Sequence, residues 1–314
     1  MDKNRIILPY ISATTTSLIF GLSYLFTKRA LNFAEPFELL SFRFLTAFLI
    51  MSLLIILRII KINYRSKPLK TLLLLSISQP IFCFIFETYG LKHSSSSQAG
   101  LMLALIPIFV SILGVYFLKE IPSRKQLFFI LLSVLGVIYI VLMNKSNSGS
   151  TSLIGTVMLI FAVLSSAAFN ILSRKLRNDF SPFELTYFMM ALGAICFNLI
   201  SVLLHVKQNK LGNYFDVLYK KDFIISIVYL GIFSSILAFF LLNYTLSKIE
   251  ASKSSVFANL STIVSIIAGV VFLNESFKLY HAIGASMILL GVWGTSYFGY
   301  IKNKISDLEK TGSE

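Results

Sequence analysis

The stretches "EPFELLSFRF" (residues 35–44) and "SPFELTYFMM" (residues 181–190) share the four letters PFEL, each time just before a long apolar run. Proline suits the first turn of a helix, where its missing N–H costs no hydrogen bond. A glutamate two residues later lies near the positive end of that helix. We therefore interpret each PFEL as the start of a helix. Because it recurs at an offset of 146 residues, it also indicates an internal repeat.

The composition places this repeat in a membrane. Of the 314 residues, 56% are hydrophobic and 13% are charged, and this charged fraction is about half that of a soluble domain. A helix needs roughly 20 apolar residues to cross the hydrocarbon layer of a bilayer. Ten such runs cover residues 6–27, 37–60, 71–91, 97–118, 126–143, 153–172, 183–204, 223–245, 252–273 and 279–300. The expected fold class is an all-α integral membrane protein with ten transmembrane helices.

The two halves of the chain resemble each other beyond PFEL. "GVYFLKE" (residues 114–120) matches "GVVFLNE" (residues 269–275) at an offset of 155, which is larger because the connection after the seventh run is longer than its counterpart. Five helices per half is an odd number, so the second half must begin on the opposite side of the membrane. We therefore predict two inverted five-helix repeats, 1–146 and 147–314, an architecture typical of secondary transporters.

The basic residues predict the orientation in the membrane. A net charge of +14 would suggest nucleic-acid binding in a soluble protein. Here the Lys and Arg residues lie mostly in the connections between helices. The connections on the side of the N-terminus hold about two basic residues for every one in the connections on the other side. Cytoplasmic connections are enriched in basic residues. We therefore predict a multi-pass protein of the cell (inner) membrane with both termini cytoplasmic, and no nucleic-acid partner.

Two ionisable side chains fall inside predicted helices. Arg43 lies about 9 Å into the second helix at 1.5 Å per residue, and Glu87 lies at a similar depth in the third. Charges inside the membrane are costly and usually functional. The two groups either pair or face a shared water-filled space, and the carboxylate is suited to proton coupling or cation recognition. A static ion pair, or an arginine that reaches the lipid headgroups, is the structural alternative.

Several stretches give the chain a family resemblance. They are "FGLSYLFTKRAL" (20–31), "SFRFLTAFL" (41–49), Pro107 in the fourth helix, and the matching ends of the fourth and ninth helices. With the 5+5 arrangement, they resemble the drug/metabolite transporter superfamily, EamA type, over about residues 6–300. One departure is Phe20-Gly21, where the family often has Trp-Gly. The resemblance implies a cavity lined by helices 1, 3, 4, 6, 8 and 9, alternating access, and usually export of amino acids, other metabolites or drugs.

The resemblance also selects candidate site residues, because it states which helices line the cavity. Buried amides must bind a neighbour or face a cavity, and aromatic rings can hold apolar groups or cations. The predicted substrate-binding residues are Phe20, Tyr24, Glu87, Tyr89, Asn170, Tyr244 and Asn259. The predicted coupling or gating residues are Arg43, Glu87 and Pro107. The proline is included because it can interrupt the hydrogen bonds of a helix.

The expected function is a secondary-active transporter that exports small metabolites such as amino acids or drug-like compounds. The alternatives are an importer of a small metabolite or organic cation, a passive channel, and a membrane-embedded enzyme. The sequence contains no HExxH, Walker or GxGxxG motif, and these motifs mark metal or nucleotide sites. We therefore predict no enzyme activity, no cofactor and no metal site. The expected partners are a small-molecule substrate, the lipid bilayer, protons as the coupling ion, and a second copy of the chain in a homodimer.

Overall fold

The computed structural model describes residues 3–118, 123–145, 151–248 and 251–311. Within these residues the chain forms ten long helices, each of which corresponds to one predicted run, two short 3₁₀ helices (Leu211–Asn213 and Asp216–Tyr219) and no strand. The long helices are α1 (Lys3–Ala30), α2 (Pro36–Ile56), α3 (Leu69–Lys92), α4a (Ser96–Leu103) with α4b (Ile106–Leu118), α5 (Arg124–Lys145), α6 (Thr151–Leu176), α7 (Pro182–Lys207), α8 (Lys221–Lys248), α9 (Ala251–Leu273) and α10 (Leu279–Thr311). We count α4a and α4b together as one helix, α4.

The surface of the bundle suits a bilayer. Within the described residues, α2, α3, α4, α6, α7 and α8 are long and apolar enough to cross a membrane, while α9 and α10 hold the shorter apolar segments Leu260–Leu273 and Leu279–Gly291. Large apolar side chains on the outside are exposed, for example Ile56 at 75% and Leu49 at 56%. Such a surface is unfavourable in water but favourable against lipid. The predicted all-α membrane fold is confirmed.

The contacts between helices repeat when the two halves are exchanged. Helix α1 packs against α8 and α9, and its counterpart α6 packs against α3 and α4, the equivalent helices. In addition, α2 packs against α7, α4 against α9, and α5 against α10. The two members of each pair are counterparts in the two halves, so exchanging the halves leaves these contacts unchanged. A packing pattern that maps onto itself in this way has the pseudo-twofold symmetry of inverted repeats.

PFEL begins a helix in both halves, as predicted, with its proline as the first residue of α2 and of α7. At the start of α7, the Ser181 hydroxyl accepts a hydrogen bond from the Glu184 N–H, and the Glu184 carboxylate accepts one from the Ser181 N–H at 2.8 Å. Glu35 and Glu38 form the same reciprocal arrangement at the start of α2. Each arrangement is a capping box, which satisfies backbone donors that the first turn of a helix leaves unpaired.

The two PFEL glutamates also join the halves. The Glu184 carboxylate contacts the Lys67 Nζ at 2.7 Å and accepts a hydrogen bond from the Asn63 N–H at 2.8 Å, both in the connection after α2. At the other end of this helix pair, Glu38 lies 3.7 Å from His205 near the end of α7. Each helix start therefore meets the far end of the equivalent helix, so α2 and α7 run antiparallel, as inverted repeats require.

Replacing Glu184 with glutamine is expected to lower the free energy of unfolding by about 1 to 3 kcal/mol. The carboxylate is buried and accepts hydrogen bonds from Ser181, Asn63 and Lys67, and an amide would turn its own N–H groups toward these donors. The melting temperature in detergent measures the effect. Glu38→Gln is the matched control with a smaller expected loss, because its carboxylate bonds one backbone N–H at 3.4 Å. Equal losses at the two positions would contradict this account.

Three helices are irregular beside the centre of the bundle. Helix α3 is kinked within Ile77–Phe82, where Gln79 has non-helical backbone angles, and α8 is π-helical over Tyr229–Leu237. At the offset of 155 these segments overlap in the two halves. Helix α4 is interrupted between α4a and α4b, with Pro107 as the second residue of α4b. Such interruptions are frequent at functional sites, which directs attention to the space between these helices.

Candidate functional site

A cavity lies between the two halves, lined by the six helices that the family resemblance implies and by α2. Five pairs of lining residues are equivalent in the two halves, at the offset of 146 for α1 and α6 and of 155 for the later helices. They are Phe20 and Ser166, Tyr24 and Asn170, Gln79 and Ser234, Glu87 and Leu242, and Ile106 and Ser261. The cavity therefore lies on the pseudo-twofold axis, where transporters built from inverted repeats bind their substrates.

Arg43 lines this cavity from α2 and is held by the second half of the chain. Its side chain is 1% exposed. The Nε atom donates to the Ser235 Oγ and the Nη2 atom to the Ser234 Oγ, each at 2.9 Å. The guanidinium carbon lies 4.2 Å from the centroid of the Phe84 ring, within the range of a cation–π contact. The π-helical segment of α8 thus fixes the position of a buried positive charge.

Glu87 lines the same cavity from α3 and is 9% exposed. Within the described part of the chain, its carboxylate takes part in no hydrogen bond, and no Arg43 nitrogen lies within 4.0 Å of it. Of the two predicted arrangements, the structure thus shows a shared cavity and no ion pair. The site holds one acidic and one basic group, which are buried and separate.

Three of the predicted substrate-binding residues complete this part of the wall. The Phe20 ring meets the Phe239 ring edge-on, with centroids 5.3 Å apart, and Tyr24 lies one turn further along α1, 7% exposed. The Asn170 amide nitrogen donates to the Ser166 carbonyl at 2.8 Å on its own helix. The structure brings these residues together with Glu87 and Arg43, and their contact with substrate stays a prediction.

Among the described side chains, Tyr89, Tyr244 and Pro107 do not line this cavity. Tyr89 and Tyr244 each pack against a phenylalanine ring, and Pro107 is buried at the start of α4b. The side chain of Asn259 lies outside the described residues. The predicted binding role of Tyr89, Tyr244 and Asn259, and the predicted gating role of Pro107, stay predictions.

Lys28 lies just beyond one end of the cavity lining. It lies one helical turn beyond Tyr24 on α1, and Leu91 lies one turn beyond Glu87 on α3. The Lys28 Nζ donates to the Leu91 carbonyl at 2.6 Å and to the Ser94 carbonyl. The end of α1 is therefore tied to the end of α3 directly beyond the Tyr24 and Glu87 side chains.

Glu275, which follows α9, makes a second contact at the same end. Its carboxylate accepts hydrogen bonds from the Ser96 N–H at 2.6 Å, the Ser97 N–H at 3.0 Å and the Ser97 hydroxyl at 2.7 Å. These donors begin α4a, so the carboxylate also faces the positive end of that helix. We name the closing groups the Lys28–Glu275 cluster: Lys28, Leu91, Ser94, Ser96, Ser97 and Glu275.

A family model described as "EamA-like transporter family" matches this chain twice, over residues 7–142 and 153–297. The chain belongs to the EamA-like transporter family. A Bacillus subtilis protein, "Uncharacterized transporter YcxC", is 43% identical over 94% of this chain and 95% of its own length. The "Probable amino-acid metabolite efflux pump" of Salmonella typhimurium is 27% identical over 90% and 92%. One crystal structure, 15% identical and with a TM-score of 0.63 over 92% of this chain and 98% of the other, has the same fold.

The resemblance inferred from the sequence is thus confirmed, and this EamA-like transporter is a multi-pass membrane protein of the drug/metabolite transporter superfamily. The family model matches once in each half, in agreement with two five-helix repeats. The predicted boundary between 146 and 147 falls within residues 146–150, outside the described residues, and stays a prediction.

Sequence reasoning missed the two serines that fix Arg43 in this transporter. Ser234 and Ser235 lie in a strongly apolar run, where small polar residues are usually explained by close helix packing. One signal was present in the repeat: at the offset of 155, Ser234 is equivalent to Gln79, so both halves carry a polar side chain at this position. In the structure both residues line the cavity, Gln79 from the kink of α3 and Ser234 from the π-helical segment of α8.

Proposed function

We propose that this protein is a secondary-active transporter that exports small metabolites, such as amino acids or drug-like compounds, by alternating access. The observation that carries the proposal is the cavity on the pseudo-twofold axis, with a buried acid and a buried base in its wall. Charged groups at such a position in a membrane protein usually serve a substrate or an ion. The substrate is a small organic molecule that contacts both repeats.

The Lys28–Glu275 cluster supports alternating access. Its bonds join α1 to α3 and α9 to α4 at one end of the cavity, so a transporter that uses both ends must break them once in each cycle. In inverted repeats, an exchange of the two conformations between the halves opens one end and closes the other. The cluster is the closing contact of one of these two states.

The direction, the membrane and the coupling ion form part of the same proposal. Export is supported by the name of the Salmonella typhimurium relative, "Probable amino-acid metabolite efflux pump". A cell-membrane location with cytoplasmic termini is supported by the twofold excess of basic residues in the connections on the N-terminal side. Protons are the proposed coupling ion, with Glu87 as the buried carboxylate that exchanges them.

Preloading liposomes with unlabelled solute is expected to accelerate uptake of the labelled solute, because a carrier returns faster when it is loaded on both sides. The purified protein is reconstituted and loaded either with a mixture of the protein amino acids or with ethidium. Uptake of the matching labelled probe is then followed, and protein-free liposomes serve as the control. A passive channel shows no such acceleration. If neither probe exchanges faster in preloaded vesicles, the proposed transport function is wrong.

A further inference from the structure

Two opposite charges face one cavity in this protein, and they belong to the first half of the chain alone. The residues equivalent to Arg43 and Glu87 are Met189 and Leu242. Leu242 lines the cavity at the position that mirrors Glu87. The pair is therefore not imposed by the symmetry of the fold, and a purely structural role would predict contact between the two groups, which the described residues do not show.

Arg43 is fixed in position, but only some of its N–H groups donate hydrogen bonds. Ser234 and Ser235 accept hydrogen bonds from two of its nitrogens, and the Phe84 ring covers one face of the guanidinium. A guanidinium has five N–H donors in a rigid plane, which suits it to bind a carboxylate through two parallel hydrogen bonds. Arg43 lines the cavity, so the edge of the guanidinium that the two serines do not use can bind a ligand there. Arg43 is thus a preorganised site for an anion.

Glu87 has the complementary requirement. A buried carboxylate is stable when it accepts hydrogen bonds from a cation or from several donors. Among the described residues, neither kind of partner contacts the Glu87 side chain. The Phe20 and Tyr24 rings line the wall on the neighbouring helix α1, and aromatic rings attract cations. Glu87 is therefore placed to receive an ammonium group from a ligand.

We propose that the substrate is a small zwitterion whose carboxylate binds Arg43 and whose ammonium binds Glu87. This inference rests on the transport function proposed above and chooses between its two substrate classes. A simple organic cation would leave Arg43 without an anion and would be repelled by it. A simple organic anion would have the same conflict with Glu87. Only a molecule with both charges satisfies the two groups at once.

The rest of the wall indicates an apolar substituent on the zwitterion. Leu103, Ile106 and Leu242 line the cavity together with Phe20 and Phe84. These side chains offer no hydrogen bonds, so a polar substituent placed among them would lose its hydration without compensation. An amino acid with an aliphatic or aromatic side chain matches the wall and both charged groups.

The test uses matched probes that differ in charge. Leucine, methionine and phenylalanine are each compared with their methyl ester, which lacks the negative charge, and their N-acetyl derivative, which lacks the positive charge. Binding to the purified protein is followed by the rise in melting temperature, because a ligand of the folded state stabilises it. The measurements are made at about pH 6.5, more than one unit below the usual pKa of an α-amino group.

The intact protein is expected to bind at least one zwitterion about 10- to 100-fold more tightly than its ester or its N-acetyl derivative, as loss of a charged hydrogen bond implies. Glu87→Gln should weaken binding of the zwitterion by a similar factor and leave the N-acetyl derivative unaffected. Glu35→Gln is the matched control, since it makes the same change at a carboxylate that is 72% exposed and is not among the residues that line the cavity. It should change the affinity for the zwitterion by less than about threefold.

Arg43 is tested by two routes, because Arg43→Gln leaves Ser234 and Ser235 without their partner and risks loss of folding. The double variant Ser234→Ala, Ser235→Ala keeps the guanidinium and removes its two anchors. Both variants should weaken binding of the zwitterion and leave the methyl ester unchanged. Equal loss for the ester in the folded double variant would contradict the assignment of the carboxylate to Arg43.

Three results would overturn the proposal: tight binding of the ester, tight binding of ethidium, or no response to any of the three amino acids. Ethidium or ester exchange in the preloaded liposomes would then show that transport survives and the zwitterion assignment alone is wrong. Absence of exchange with every probe would instead remove the transport function on which this inference rests.

Discussion

Gly21→Ala is expected to lower the free energy of unfolding by about 1 to 3 kcal/mol, the usual cost of overpacking a close contact. A Cβ atom at Gly21 would lie 2.5 Å from the Val264 Cβ and 2.8 Å from the Ser261 carbonyl oxygen. Val264 is β-branched and Ser261 contributes backbone, so neither atom can move away cheaply. Alanine favours a helix over glycine by up to about 1 kcal/mol, which is too little to offset the clash of α1 with α9.

The matched control for this prediction is Gly114→Ala. Among the described residues, no atom would lie within 4 Å of a Cβ atom at Gly114, so the same substitution should be neutral or raise the melting temperature. The two variants are compared by thermal unfolding in the same detergent. A melting temperature that falls equally in both variants would contradict this account, because the gain in helix propensity alone would raise it in both.

Two glycines show how far a sequence can predict helix packing. Small residues at equivalent sites of a repeat, such as Gly114 and Gly136, favour close helix approach. At Gly136 the helices do approach closely, because a Cβ atom would lie 2.9 Å from the Gly284 carbonyl oxygen. At Gly114, which is also buried, no atom of the described residues would lie within 4 Å of a Cβ atom. A sequence states that a position is small, and the angle between two helices decides whether a neighbour fills it.

The fold could be predicted because its signals are local and strong. Ten apolar runs of spanning length give the helices, and the two PFEL stretches mark the starts of α2 and α7, where capping boxes are formed. The inverted arrangement followed from the odd number of helices in each half. These inferences depend on length, composition and repetition, which do not require knowledge of how side chains pack.

The site was predicted in part, for a physical reason. The sequence could single out five residues of the wall, because polar or aromatic residues on these helices either contact a neighbouring helix or face a cavity. They are Phe20, Tyr24, Arg43, Glu87 and Asn170. Whether Arg43 would pair with Glu87 depends on the rotamers of both side chains and on the other acceptors within reach of Arg43. The serines of the π-helical segment in α8 took Arg43 as their partner, and the period of an α-helix contains no signal for a π-helical turn.

The largest functional effect outside the cavity is expected for Glu275→Gln in the Lys28–Glu275 cluster. The carboxylate accepts three hydrogen bonds from the first turn of α4a, and bonds to a charged group contribute about 1.5 to 3 kcal/mol. If they exist only while this end is closed, their loss shifts the equilibrium between closed and open states by about 10- to 100-fold toward open. The cavity should then become accessible from the Lys28 end.

Cysteine labelling measures this shift. Ser23 lines the cavity next to Tyr24, so Ser23→Cys, in a chain whose Cys83 and Cys196 are replaced by alanine, reports access for a membrane-impermeant maleimide. Glu275→Gln should raise the labelling rate from the Lys28 side about tenfold or more, and Lys28→Met should act in the same direction. Glu35→Gln is the control, because Glu35 pairs with Lys92 at the same end but is 72% exposed, and exposed pairs contribute little. Unchanged labelling in Glu275→Gln would mean that the apolar packing of α1, α3, α4 and α9 holds this end shut, and that the cluster follows the closure without causing it.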